Sequence, residues 1–254
     1  MSRVGFIGTG HIAAPMARAL ARDGHEVIVS ERNSDTARGL SEAGLGIRVG
    51  LNQQVADESD IVFLCLRPDV WQSVVQDLSW DARHRIISVM AGVTLSDLRE
   101  TSAPAATVCS TIPYGFIEFG GCPLPVAGDP GAVQQLFGGT NAVIPLSDEA
   151  DLSAYFAASS LVSGVLGLLG SAAGWLGETT GERAAAEVYT SGLAGGFLWH
   201  GDFAQQGRLD AEKRALATPG TLNRQMVEGL EGAGAFDGLP ALLSRIRASM
   251  ETAQ

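Results

Sequence analysis

The stretch Arg3-Val4-Gly5-Phe6-Ile7-Gly8-Thr9-Gly10-His11-Ile12-Ala13-Ala14 decides how the rest of the chain is read. Val4-Gly5-Phe6-Ile7 is a short apolar run, the pattern of a strand covered on both faces. Gly8-x-Gly10-x-x-Ala13 follows, and a helical pattern over residues 12–22 stops at Asp23-Gly24. In the order strand, glycine turn, helix, each small residue has a task. Gly8 permits the tight turn, Gly10 lets a pyrophosphate reach the backbone, and Ala13 keeps the helix close to the sheet. The helix start then turns its free N–H groups and positive dipole end toward the phosphates. The stretch predicts a dinucleotide site on Gly8, Thr9, Gly10, His11 and Ile12.

The second strand arrives on schedule over residues 25–30, with Glu31 and Arg32 at its end, where the adenosine ribose of such a cofactor lies. Glu31 suits a ribose 2′-hydroxyl and therefore NAD. Arg32, with Ser30 and Asn33, suits a 2′-phosphate and adenine stacking, and therefore NADP. The S-x-R-N run tilts the expectation to NADP, with NAD left open.

Outward from there, Asn33-Ser34 caps a helix over residues 35–43, and a strand at 47–49 and a helix at 52–57 follow. Residues 60–66 form a buried strand broken by Arg67-Pro68, with a helix beginning near Val70. Further strands fall at 85–89, 107–111 and 142–145, with helices from Thr94 and at 131–137. This alternation predicts an α/β fold with a doubly wound parallel sheet. Glu118 reads as a solvated loop carboxylate. From Ser147-Asp148-Glu149 the pattern is purely helical: 152–178, 181–206, 210–216, 221–232 and 239–252. The expected organisation is a nucleotide-binding domain over 1–147 and an all-α domain over 148–254.

Residues 152–177 carry no charge and are long enough to span a bilayer. They are also rich in serine, glycine and alanine, and the nearest flanking charges, Asp151 and Glu178, are acidic, so the segment reads as a helix buried in a protein interface. A homodimer through the helical half is expected, with a higher oligomer also open, and no membrane partner.

The 254 residues, 46% hydrophobic with 32 glycines, describe a globular chain with a large core. The net charge of −11, with Lys213 as the single lysine, argues against a nucleic-acid partner, which needs a basic face. Cys65, Cys109 and Cys122 show no metal or CxxC spacing and the four histidines are scattered, so no metal is expected. The N-terminus runs straight into the first strand, which predicts no signal peptide and a reduced, cytoplasmic setting. Tyr189 and His200, among apolar neighbours on the second long helix, read as core or interface residues.

Taken together, the motifs resemble the pyrroline-5-carboxylate reductase family. The opening GFIGTGHIAAPMARAL is similar to that family's cofactor turn and equally to that of β-hydroxyacid dehydrogenases. Ser88-Val89-Met90-Ala91-Gly92-Val93-Thr94-Leu95 is similar to the reductases' S-x-x-A-G-V-T-I. Thr218-Pro219-Gly220-Thr221-Leu222-Asn223, followed by Leu230-Glu231, occupies the place of their S-P-G-G-x-T … L-E signature. Leu66-Arg67-Pro68 stands where they carry V-K-P near the nicotinamide ribose.

The resemblance implies NAD(P)H-dependent reduction of a cyclic imine, a Rossmann domain joined to a helical dimerisation domain, and an active site shared at their junction. Proline biosynthesis follows if the family substrate is kept. It adds Leu66, Arg67, Pro68, Ala91 and Gly92 to the cofactor set. It implies substrate contacts at Thr111, Pro113, Thr218, Pro219 and Gly220, and catalytic roles for Asn223 and Thr221. Neutral side chains suffice there, because an imine that arrives protonated needs orienting and no strong general acid.

Departures fall on the substrate side. The M-P-N-T-P-like loop becomes Cys109-Ser110-Thr111-Ile112-Pro113, with Thr111 for asparagine. The S-G-S-G-P-A-Y segment becomes Phe156-Ala157-Ala158-Ser159-Ser160-Leu161-Val162. Thr221 replaces the second signature glycine and Asn223 the hydroxyl residue.

Three other readings stay open. A β-hydroxyacid dehydrogenase would place a catalytic lysine on the long helix, and Lys213 comes too late in the chain. A hydride carrier between NADP and a deazaflavin lacks such a helical half. A non-catalytic nucleotide-binding protein would keep the fold and lose the substrate.

Overall fold

A computed structural model describes residues 1–199 and 206–251. The chain divides into two compact units. Met1–Phe156, joined by Met250, form the first, and Ala157–Ser249 the second.

The first unit is an eight-stranded sheet. Its strands are β1 (Arg3–Ile7), β2 (Glu26–Ser30), β3 (Arg48–Gly50), β4 (Ile61–Leu64), β5 (Arg85–Ser88), β6 (Thr107–Thr111), β7 (Pro123–Gly128) and β8 (Ala142–Pro145). They lie in the order β3-β2-β1-β4-β5-β6-β7-β8. β1 pairs in parallel with β2 on one side and β4 on the other, so the strand order reverses there, the place where open α/β sheets bind ligands beyond their carboxyl ends. The covering helices are α1 (Ala13–Arg22), α2 (Ser34–Glu42), α3 (Asn52–Asp57), α4 (Trp71–Gln76), α5 (Leu95–Thr101) and α6 (Gly131–Phe137).

Alternating side chains of the buried strands feed two cores. On one face Phe6 stacks on Phe63 (ring centroids 4.8 Å) beside Met16 and Leu20 of α1. On the other, Ile7, Val62 and Leu64 meet Val55, Trp71 and Val75. α1 is amphipathic, burying Ala13, Ala14, Met16, Ala17 and Leu20, and it stops where Gly24 turns to φ +82° and His25 N–H closes on Leu20 C=O (3.0 Å).

The parallel expectation needs one correction. β7, a strand absent from the sequence reading, runs antiparallel to β6, and β8, paired parallel to β7, therefore also runs against the first six strands. Pro123 and Pro125 hid it, since proline removes a ladder donor. The strand tolerates them because Cys122 and Val126 carbonyls face β8, accepting from Ala142 and Leu146 N–H, so by alternation the two proline nitrogens face the β6 side. β6 ends at Thr111, opposite Val126, and asks nothing of them.

The first helix of the helical half also differs from expectation. The single helix over 152–178 is two, α7 (Leu152–Ser159) and α8 (Leu161–Thr180). At the break, both the N–H (3.1 Å) and the hydroxyl (2.6 Å) of Ser160 go to Ala157 C=O, a tighter turn in which the serine side chain competes with the helical ladder. Over Glu149–Thr180 the chain is long and apolar enough to cross a membrane by length and composition, with mean hydropathy 1.7. Within this chain little of that segment is buried.

In the second unit α8 pairs with α9 (Arg183–Trp199) across Gly181 (φ +80°). Gly177 lets the two approach, since a Cβ there would lie 3.0 Å from Arg183 Cα. α10 (Arg208–Leu216), α11 (Leu222–Gly232) and α12 (Leu239–Glu251) complete it. His200 lies outside the described residues, and Tyr189 is exposed on α9.

Candidate functional site

The glycine turn between β1 and α1 is held from below. Gly8 has φ +93°, and a Cβ there would sit 2.4 Å from the Cys65 carbonyl oxygen at the end of β4, so only glycine fits. Its N–H donates to Ser30 Oγ (2.9 Å), and Thr9 Oγ1 donates to the Ser30 carbonyl (2.5 Å). Above the turn the situation reverses. A Cβ on Gly10 would meet nothing within 4 Å. The first main-chain bond of the helix is Ala14 N–H to Gly10 C=O (3.0 Å), and Ile12 offers no side-chain cap. An uncapped helix start beneath open space fits the pyrophosphate of a dinucleotide. His11 stands exposed at its rim.

The geometry gives two of the expected side chains another task. Ser30 is wholly buried and spends its hydroxyl on the turn, so it cannot hold a 2′-phosphate. Thr9 is likewise buried and uses its side chain inward. Both position the glycines. At the rim, Glu31, Arg32 and Asn33 are exposed, and Asn33 Oδ1 caps α2 by accepting from Thr36 N–H (3.4 Å). That leaves the Glu31 carboxylate and the Arg32 guanidinium as the charged groups facing solvent beside the turn.

Around the same end of the sheet, Leu66 is buried and Arg67 and Pro68 are exposed, with Arg67 paired to Asp69 (3.0 Å). Beyond β5, Ser88 Oγ accepts from Met90 N–H (3.2 Å), and Ala91 and Gly92 form an exposed turn with Gly92 at φ +77°. At the end of β6, Ser110 and Thr111 are buried, and among the described residues neither hydroxyl has a hydrogen-bond partner. A buried unpaired hydroxyl costs free energy unless something else satisfies it. Pro113 is buried behind it.

Glu118 also departs from the sequence reading. It sits in the short 3-10 helix Gly115–Phe119, its side chain only 6% exposed. Arg18 holds it at 2.6 Å and Arg22 at 2.8 Å, both from α1. The hydrogen bond from Arg18 is the main reason its carboxyl lies below the usual carboxylate range, against the opposing effect of burial. The clamp ties the segment after Pro113 to the helix that starts at the glycine turn. A spacing of four between two arginines on one helix face was the signal available in the sequence.

A cavity of about 440 Å³ opens beside the Gly92 turn. Met90, Val93, Leu152 and Phe156 give it apolar walls, and Asp148 and Glu149 are its charged lining. Glu149 Oε1 accepts from Leu95 N–H (2.6 Å) and Asp148 Oδ1 from Ala150 N–H (2.9 Å). None of these six was singled out as a site residue from sequence, since the apolar ones look like core and the acids like a helix start.

In the second unit Thr221 is the N-cap of α11. Its Oγ1 accepts from Arg224 N–H (3.2 Å) and donates to Thr218 C=O (2.7 Å), while Gly220 turns at φ +82°. Thr218, Pro219 and Asn223 are exposed. Among the described residues no three His, Cys, Asp or Glu side chains form a metal-binding group. Burial pushes the Cys65 thiol up and the Cys109 thiol up to about 12, so neither is a nucleophile.

Residues 3–92 match the family model described as NADP oxidoreductase, coenzyme F420-dependent. Human pyrroline-5-carboxylate reductase 2 is 31% identical over 121 residues, which is 42% of this chain and 38% of the human protein. The aligned part thus spans well under half of that relative. A pyrroline-5-carboxylate reductase from Coxiella burnetii superposes with a TM-score of 0.83 at 18% identity, covering 99% of this chain and 98% of that one. The Plasmodium falciparum pyrroline carboxylate reductase, solved with NADP bound, gives 0.81 at 14% identity over 99% and 97%. The fold of these reductases therefore extends over the full chain.

Proposed function

We propose that the chain is an NAD(P)H-dependent oxidoreductase that reduces a cyclic C=N bond, as pyrroline-5-carboxylate reductases do. The observation that carries this reading is the glycine turn, locked from below by Ser30 and Cys65 and open above Gly10, within a fold shared end to end with those enzymes. Gly8, Gly10, His11 and Ile12 would hold the pyrophosphate. Arg32 would meet a 2′-phosphate, which favours NADP, with Glu31 as the group that admits NAD. Leu66 to Pro68 and the Ala91-Gly92 turn would border the nicotinamide end. When bound, the reduced nicotinamide supplies a hydride, leaving the C=N electron pair on nitrogen.

The chain's own part is to orient. The resemblance assigns Pro113 and Thr111, whose buried hydroxyl has no partner among the described residues, to the substrate side of the first unit. In the helical unit, Thr218, Pro219 and Gly220 shape the start of α11, where Thr221 and Asn223 would direct the imine nitrogen. Trp175, Val188 and Leu193 project from α8 and α9 into solvent, which supports a homodimer closing over them. The free thiols suit the reducing cytoplasm.

The match of residues 3–92 to a deazaflavin-linked oxidoreductase model supports a second reading, hydride exchange with a deazaflavin. Oxidation of NADPH and NADH, followed by absorbance with pyrroline-5-carboxylate, other cyclic imines and an oxidised deazaflavin, separates the two. Imine-dependent oxidation that is lost in Asn223→Ala while NADPH still binds supports the first. Oxidation by the deazaflavin alone supports the second.

A further inference from the structure

We infer that the cavity beside the Gly92 turn receives the substrate as a cation with an apolar body and no carboxylate, an inference that rests on the imine-reductase reading. At about 440 Å³ the cavity is of the size that holds a small ring system. Its walls are aliphatic, aromatic and thioether groups: Met90, Val93, Leu152 and Phe156. The lining contains no lysine, arginine or histidine. Its charged side chains are two carboxylates, Asp148 and Glu149, and neither forms an ion pair among the described residues. Each is instead fixed by one backbone N–H, which holds the oxygens in place without cancelling their charge.

These features decide what the cavity accepts. A protonated imine brings the missing positive charge. A ligand that also carries a carboxylate brings a third negative charge to a wall with no countercharge, and pays for it in repulsion and desolvation. Phe156 puts an aromatic ring on the cavity wall. The net charge of −11 attracts the same cations from a distance.

The test measures binding apart from turnover. The full chain, loaded with NADP, is titrated calorimetrically with 2-phenylpyrrolidine, a carboxylate-free product amine, and with L-proline. We expect 2-phenylpyrrolidine to bind at least about tenfold more tightly than proline, in line with like-charge discrimination at an interface. Its affinity should fall as salt rises. Asp148→Asn and Glu149→Gln keep the acceptors for Ala150 and Leu95 N–H and remove the charges, so each should weaken 2-phenylpyrrolidine about threefold to fivefold and flatten its salt dependence. NADPH affinity, read by nicotinamide fluorescence, should not change. Equal or tighter binding of proline, no binding of either amine, or indifference to both substitutions overturns the inference. Amine binding as expected with no imine reduced would leave the cavity assignment standing and remove the activity.

Discussion

In the first unit Phe6, Phe63, Leu64 and Ile87 are completely closed off from solvent, whereas in the second Leu168, Trp175 and Val188 stand 59%, 68% and 73% exposed on α8 and α9. Both units are equally apolar by sequence pattern, but only one finishes its own core. A sheet with helices on its faces buries its large side chains within one chain. A helical hairpin with small residues along its faces is half of a structure and awaits another surface. On the proposed reading, the first half is a self-contained nucleotide-binding module and the exposed apolar face of the helical half is the assembly surface.

The largest expected effect comes from putting strain where the first unit is tightest. Gly8→Ala forces a Cβ onto the Cys65 carbonyl at positive φ and should cost about 3 kcal/mol or more in urea unfolding, with loss of NADPH binding. Gly10→Ala, two residues on, meets open space, so stability should stay within about 0.5 kcal/mol while NADPH affinity falls at least about tenfold. Equal stability losses in the two variants would break the claim that the turn is locked below and open above.

Next is the exposed face of the second unit. Val188→Asp alters no buried contact within the chain, so circular dichroism should be unchanged while self-association, read by light scattering, weakens about a hundredfold. A wild-type chain that is monomeric at every concentration would end the contrast between the two units.

A smaller effect tests the Glu118 clamp. Glu118→Gln should cost about 2 kcal/mol, the scale of a partly buried hydrogen bond to a charged group. The folded carboxyl is held below its ordinary value, so the clamp contributes fully above the ordinary carboxylate range and fades as pH falls through the lower folded value. The wild type should lose stability on that acid limb and the variant should not. Smallest of all, Thr221→Ala removes the α11 cap and should cost about 1 kcal/mol by thermal melting.

The sequence exposes what depends on local pattern. β1, β2, β4, β5 and β6, the Asn33 cap, the helix start at Thr94 and the glycine turn were all legible, because burial on both faces and capping chemistry leave signatures within a few residues. What depends on distant partners was not. β7 is a strand only because β6 ends early enough to spare its prolines. Glu118 looks like a solvated acid until α1 lies beside it, a hundred residues away in the chain. Ser30 looks like a phosphate ligand until the turn claims its hydroxyl. The cavity acids Asp148 and Glu149 read as the opening of a helix, and only the bond from Leu95 N–H at the start of α5 fixes Glu149 in the cavity wall.

The most direct test of the central claim follows the hydride. The full chain is incubated with NADPH carrying deuterium at the transferable nicotinamide position and with a carboxylate-free cyclic imine, and the product amine is examined by NMR. The account predicts deuterium on the former imine carbon. Product without the label, or nicotinamide oxidised with no amine formed, would contradict it.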